Sequence, residues 1–233
     1  MTAADDQSAP RAAISRVELI ALIAMLMATV AFSVDAMLPA LPQIADDIAG
    51  GDVTQAALVI AAFMIGMGLG TLFAGPLSDA YGRHAVAIGG AAIFIPASLV
   101  GALGGSIELL LVARFAQGIG ASGPRIVALA IVRDLYSGRQ MARIVSFTMT
   151  VFAIVPVLAP SIGALITWAF GWRAIFISFA LFCATAIAWL RLRQPETLPV
   201  DRRIPFRIVN LRGGLAEILS NRMVVRSIMA QSM

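Results

Sequence analysis

The sequence predicts an all-α integral membrane protein, a bundle of six transmembrane helices. Three observations carry this. Hydrophobic residues make up 60% of the 233 and charged residues only 13%, where soluble domains run at about 45–50% apolar. Six apolar runs, at 17–38, 53–77, 85–103, 107–132, 144–166 and 174–190, have the length of about 20 residues that crosses a hydrocarbon layer of roughly 30 Å. Arginines collect in alternate connections between these runs. The runs are too continuous for barrel strands, which alternate, and lipid cannot satisfy an open strand edge. A disordered chain, a coiled coil and an ordinary soluble enzyme are excluded.

All 17 basic residues are arginine. Arg11 and Arg16 precede the first run, and Arg83 lies between the second and third. Arg133, Arg139 and Arg143 flank the connection between the fourth and fifth, and a cluster from Arg191 to Arg226 follows the sixth. The opposite connections hold Arg173 with Asp46, Asp47, Asp52 and Glu108. This positive-inside pattern places both ends in the cytoplasm. A nucleic-acid binder has no reason to sort its arginines by alternate loops, so nucleic acid is not an expected partner; the lipid bilayer is. The expected location is a cell membrane, plasma or bacterial inner, crossed several times.

In chain order, residues 1–16 form a short cytoplasmic tail. The first run is longer than a signal-peptide core and is expected to stay as a span. Connection 39–52, rich in Pro, Gly and Asp, is expected as an outer loop. In the second run, Gly66, Gly68 and Gly70 suit close helix contact. In the fifth, Pro156, Pro160 and Gly163 interrupt regularity. Residues 17–190 form the membrane domain and 191–222 an arginine-rich cytoplasmic segment with Pro195, Pro199 and Pro205. That segment reads either as a plain linker or as an interfacial helix. Residues 223–233 begin a further apolar pattern; at about 16 Å of helix they read as the start of an incomplete seventh span.

Tyr81-Gly82-Arg83 and Phe170-Gly171-Trp172-Arg173 each lie between the second and third spans of a trio. Three is odd, so the trios run inverted in the membrane, an architecture of transporters.

Four polar residues within the spans are candidates for chemistry. Asp35 lies four residues before Pro39, roughly 6 Å from the outer end of its span. Arg114 enters the fourth span from the same side to roughly 10 Å. The two read as lining one polar cavity, with a water-wetted interfacial Asp35 as the alternative. Arg125 follows Arg114 by three turns and about 20° of rotation. Gly118 and Ala121 lie between them on the same face, and Gln117 is beside it. Charges at this depth cost at least about 2.5–3.5 kcal/mol each and need water or a partner. Arg125 suits an anionic group or a structural salt bridge. Without lysine, P-loop and Schiff-base chemistry are excluded. Ser122 would need a histidine base to act as an intramembrane protease, and the only histidine is His84, in a connection. One cysteine, Cys183, allows no metal cluster. No cofactor, metal or enzymatic activity is expected. No Asn-Pro-Ala pair supports a channel.

Residues Gly75-Pro76-Leu77-Ser78-Asp79-Ala80-Tyr81-Gly82-Arg83-His84 resemble the signature loop of the major facilitator superfamily, between spans two and three. Ala80 and His84 replace residues that are usually basic. Leu110, Arg114, Gln117 and Gly118 resemble its fourth-span motif. Val34-Asp35-Ala36-Met37-Leu38-Pro39-Ala40-Leu41-Pro42 is similar to the first-span motif of drug–proton antiporters of the Bcr/CflA type, and Arg133-Asp134-Leu135-Tyr136 fits the same branch. Ala159-Pro160-Ser161-Ile162-Gly163-Ala164 resembles the fifth-span antiporter motif with two glycines replaced.

The resemblance implies the N-terminal six-helix half of a twelve-helix fold built as 3+3 inverted repeats. Its partner would be a missing C-terminal half or a second copy. It further implies proton-coupled export of small molecules by alternating access, with a metabolite symporter or a truncated non-transporting protein as alternatives. Asp35 and Arg114 would then couple protons, Arg114 pairing with Asp35 when it is ionised, Gln117 and Arg125 would line the substrate path, and Gly75, Asp79, Gly82 and Arg83 would form the gating loop. Pro156, Pro160 and Gly163 would shape packing in span five.

Overall fold

The computed structural model describes residues 14–206. The reading of 1–13 as tail, of 207–222 as linker and of 223–233 as a seventh span lies outside them. The chain divides into two units, Met1–Arg203 and Ile204–Met233. Every described helix belongs to the first, and no strand occurs among the described residues.

Helix α1 spans Arg16–Asp35 and starts at Ser15, whose Oγ accepts from the Glu18 N–H at 3.2 Å. A 3₁₀ turn at Leu38–Ala40 leads into α2, Leu41–Ile48. Then follow α3 (Val53–Tyr81), α4 (Arg83–Leu103), α5 (Ile107–Leu135), α6 (Gly138–Phe152), α7 (Ile154–Phe170) and α8 (Arg173–Arg193). With α1–α2 and α6–α7 each continuing one another, six helices among the described residues are long and apolar enough to cross a membrane. The protein is a multi-pass membrane protein.

Three boundaries differ from expectation. Connection 39–52 is mostly helical, because Pro39 and Pro42 occupy first-turn positions where no N–H is needed. The expected gating loop is almost entirely helix: Gly75 and Asp79 lie in α3, Arg83 opens α4, and only Gly82 separates them. Gly75 has open space around it rather than a close neighbour. Span five breaks after Phe152, where Pro156 has no N–H to give the Phe152 carbonyl. Pro160 is carried inside α7.

The two trios, α1–α4 and α5–α8, pack alike when exchanged. α5 lies against α3 and α4; correspondingly, α1 lies against α6–α7 and α8. The self-related pairs α1–α5 and α4–α8 also meet. The glycines between trio members are equivalent too. Gly82 has φ 97° and donates to the Ser78 carbonyl at 3.1 Å; Gly171 has φ 80° and donates to Thr167 at 2.9 Å. Positive φ at both is why glycine stands there. The inverted-repeat expectation is met.

The interior has two apolar clusters. One, around Phe32, Met37, Phe63, Phe94, Phe176 and Phe179, surrounds Arg114. The other, around Leu19, Leu22, Leu26, Ile131 and Leu190, lies toward the end carrying Arg16, Arg83 and Arg193, here the arginine-rich end. Outward-facing side chains are apolar as well, Trp168, Leu165 and Val157 on α7 among them, as lipid demands.

Candidate functional site

Arg114 is the largest fully buried side chain among the described residues, at 0% exposure. Its Nε donates to the Val59 carbonyl of α3 at 3.2 Å, Nη2 to the Ser33 carbonyl of α1 at 3.0 Å and Nη1 to Gln117 Oε1 at 2.6 Å. Gln117 Nε2 passes the network to Ser98 of α4 at 2.6 Å, whose hydroxyl donates to Phe94 at 2.7 Å. The guanidinium lies over the Phe63 ring, 4.4 Å from its centroid, with Phe179 of α8 at 5.9 Å. One side chain thus ties five helices through charge-assisted bonds and a cation–π contact.

The close approach that permits this comes from glycine. A Cβ at Gly118 would run into the Phe63 carbonyl, and one at Gly66 into that of Phe115, so α3 and α5 meet backbone to backbone. Gly90 and Gly120 do the same for α4 and α5.

Asp35 ends α1 half-buried, two residues beyond the carbonyl that Arg114 holds. Among the described residues it makes no ion pair or hydrogen bond. The expected Asp35–Arg114 pairing is absent, because backbone carbonyls and Gln117 already occupy the guanidinium. Gln117, expected beside a path, is fully buried and serves Arg114. Gly163 of α7 backs this corner of α1, its missing Cβ giving place to the Ala36 carbonyl.

Arg125 is different. It is half-buried, and its one polar contact runs from Nη1 to Met67 Sδ at 4.0 Å.

At the arginine-rich end, Arg83 binds Asp134 in bidentate fashion, Nε to Oδ2 at 2.8 Å and Nη2 to Oδ1 at 3.1 Å. Its Nη1 also donates to Asp79 Oδ1 at 2.6 Å and Ser78 Oγ at 2.9 Å. Thr197 donates to Asp134 at 2.8 Å. Glu196 accepts from the first N–H groups of α4, Arg83 at 2.9 Å and His84 at 3.0 Å, and from Leu198 at 3.1 Å. Burial works against this carboxylate's charge, but the N–H groups of His84, Leu198 and Arg83 outweigh it and hold its pKa below the ordinary value of 4.5. A Cβ on Gly82 would meet Glu196 Oε2 and Arg203 Nη2, each at 2.8 Å.

At the opposite end, Arg173 Nη1 donates to Asp47 at 2.6 Å and Nη2 to the Gly104 carbonyl at 3.3 Å. Trp172 Nε1 also donates to Asp47, at 3.1 Å. Sequence reasoning missed Ser98, Glu196, Thr197 and the pairing of Asp47. The only sequence signal was Pro195-Glu196-Thr197, a lone acid with a turn residue just past α8.

A profile described as Major Facilitator Superfamily matches residues 21–232. The chain belongs to this superfamily. Among superfamily relatives, it is 34% identical over 210 residues to the uncharacterized MFS-type transporter YdgK of Bacillus subtilis, covering 89% of this chain and 52% of that one. It is 38% identical over 168 residues to the multidrug resistance protein MdtL of Escherichia coli, covering 72% and 43%. The MdtL of Vibrio parahaemolyticus is also 38% identical, over 148 residues, covering 64% and 37%. The crystal structure of the human organic anion transporter MFSD10 (TETRAN) shares the fold with a TM-score of 0.66 at 19% identity, covering 83% of this chain and 51% of that one. The chain therefore spans about half the length of the curated relatives it matches.

Proposed function

We propose that this chain forms one six-helix body of an alternating-access carrier that exports small, drug-like molecules in exchange for protons. A second body, a C-terminal half or another copy, completes the cavity. The observation that carries the reading is Asp35: a half-buried carboxylate inside a span, with no partner among the described residues, beside the buried Arg114 network. A carboxylate placed so can take up and release a proton as the cavity opens to either side, while Arg114 keeps α1 in place and keeps positive charge nearby. In this reading Arg125 faces the substrate path, Gln117 supports it through Arg114, and Asp79, Gly82 and Arg83 clasp the arginine-rich end as the gate. The multidrug names of the MdtL relatives support the class of cargo.

Everted vesicles of cells expressing the full-length protein, loaded by respiration and probed in parallel with ethidium and with dansylglycine, test the coupling. Asp35→Asn should abolish uptake driven by the pH gradient while leaving the protein in the membrane. Normal gradient-driven uptake by that variant overturns the proton assignment. Alkalinisation rather than acidification of the medium on adding a metabolite would favour symport instead.

The sorting of arginines also supports a cytoplasmic N terminus. With Cys183 replaced by Ser, single cysteines at Asp47 and Ser137 should react differently with an impermeant thiol reagent in intact cells, 47 labelled and 137 protected. The reverse pattern inverts the orientation.

A further inference from the structure

Two arginines share one face of α5, and the bundle treats them in opposite ways. Around Arg114, α1 and α3 close over the helix and supply the carbonyls of Ser33 and Val59. Eleven residues on, about 16 Å along the axis, Arg125 lies on the same stripe, next to Met67 of α3. There the guanidinium-bearing residue is half-exposed. No carboxylate or carbonyl among the described residues accepts from Arg125. A thioether at 4.0 Å is a weak acceptor and leaves the guanidinium's donors essentially unmet.

This is an uncommon arrangement at membrane depth. Arg83, Arg173 and Arg193, nearer the ends of the bundle, all have carboxylate partners. A costly charge without a carboxylate or carbonyl partner among the described residues is suited to a mobile ligand. A planar guanidinium matches the paired oxygens of a carboxylate, sulfonate or phosphate, and it repels a cation. The Met67 side chain beside it offers a soft, adaptable apolar contact.

Resting on the transport reading above, we propose that the preferred cargo is an amphipathic organic anion and that Arg125 receives its anionic group. The body of the molecule lies against α3 beside Met67, and the anionic group is held on the arginine-rich side of the Arg114 network.

The test is a binding titration of the purified full-length protein with dansylglycine and with dansylglycinamide, which share a fluorophore and differ in the carboxylate. The wild type should bind the carboxylate at least about tenfold more tightly than the amide, as a charge-assisted pair predicts. Arg125→Gln and Arg125→Met should remove that preference, so that the carboxylate binds no more tightly than the amide, and a size-exclusion profile matching the wild type reports an intact fold. Arg125→Lys should keep part of the preference. Equal affinity for the two probes in the wild type, a preference that survives both neutral substitutions, or binding of neither probe overturns the proposal. The readout needs no proton gradient. Loss of coupling in the vesicle assay leaves the anion preference measurable, and ethidium uptake without that preference leaves the transport reading standing.

Discussion

Arg83 and Arg173 hold equivalent places in the inverted trios. Each opens the third span of its trio, one or two residues after a positive-φ glycine, and each reaches an acid that closes the first span of the other trio, Asp134 or Asp47. Their surroundings differ. The Arg83 and Asp134 side chains are 8% and 15% exposed; those of Arg173 and Asp47 are 44% and 46% exposed. At the arginine-rich end, Ser78, Asp79, Thr197 and the Glu196 cap enclose the pair. The other end adds only Trp172 and one carbonyl. The same covalent pattern gives a firm closure on one side and a loose one on the other. Solvent access, rather than the ion pair itself, sets the difference.

The largest effect should come from Arg83→Ala. It strands Asp134 in a poorly hydrated site and should cost about 3–5 kcal/mol in detergent unfolding. Arg83→Lys should recover part of it, since an ammonium cannot make the bidentate bond. Next is Gly82→Ala. Gly82 and Gly171 both have backbone angles that only glycine adopts easily, so alanine costs about 1–3 kcal/mol at either. At Gly82 the new Cβ also displaces Glu196 and Arg203, whereas at Gly171 it meets nothing. Gly82→Ala should therefore lower the unfolding midpoint more than Gly171→Ala; equal shifts would break the comparison.

Glu196 adds a pH signature to one end only. Its folded pKa lies below the ordinary 4.5, so its contribution is fully present above that value and fades as pH falls through the folded one. Unfolding midpoints measured downward from pH 6 should drop more steeply in the wild type than in Glu196→Gln. Parallel profiles would remove Glu196 from the clasp. The smallest effect belongs to Arg173→Ala, about 0.2–1 kcal/mol for so exposed a pair. A loss matching that of Arg83→Ala would show that exposure does not decide the difference.

Much of this architecture was legible in the sequence. Apolar run length fixed the six spans, because lipid leaves the backbone one economical solution. The repeated Gly-Arg steps at 82–83 and 171–173 announced the inverted trios. Depth along the helix placed Arg114 near the level of Asp35. Partners were not legible. Periodicity tells which face a residue occupies but not which backbone atoms stand opposite, so the carbonyls of Ser33 and Val59 were invisible and a pairing with Asp35 was expected in their place. Glu196 caps a helix that starts over a hundred residues earlier, a contact only the packed bundle creates. Connection 39–52 misled for a local reason: its prolines start helices as readily as they stop them.

The glycine seam joining α3, α5 and α4 has a mechanical consequence. Where backbone touches backbone, no side chain stands between the helices to change rotamer and absorb displacement. The three helices form a laminated plate, thin and stiff along its length. Val59 and Gln117 belong to the same plate as the Arg83 clasp, joined to it through these glycine contacts. The break after Phe152 lies outside that plate, in a span with little buried surface, so bending concentrates there.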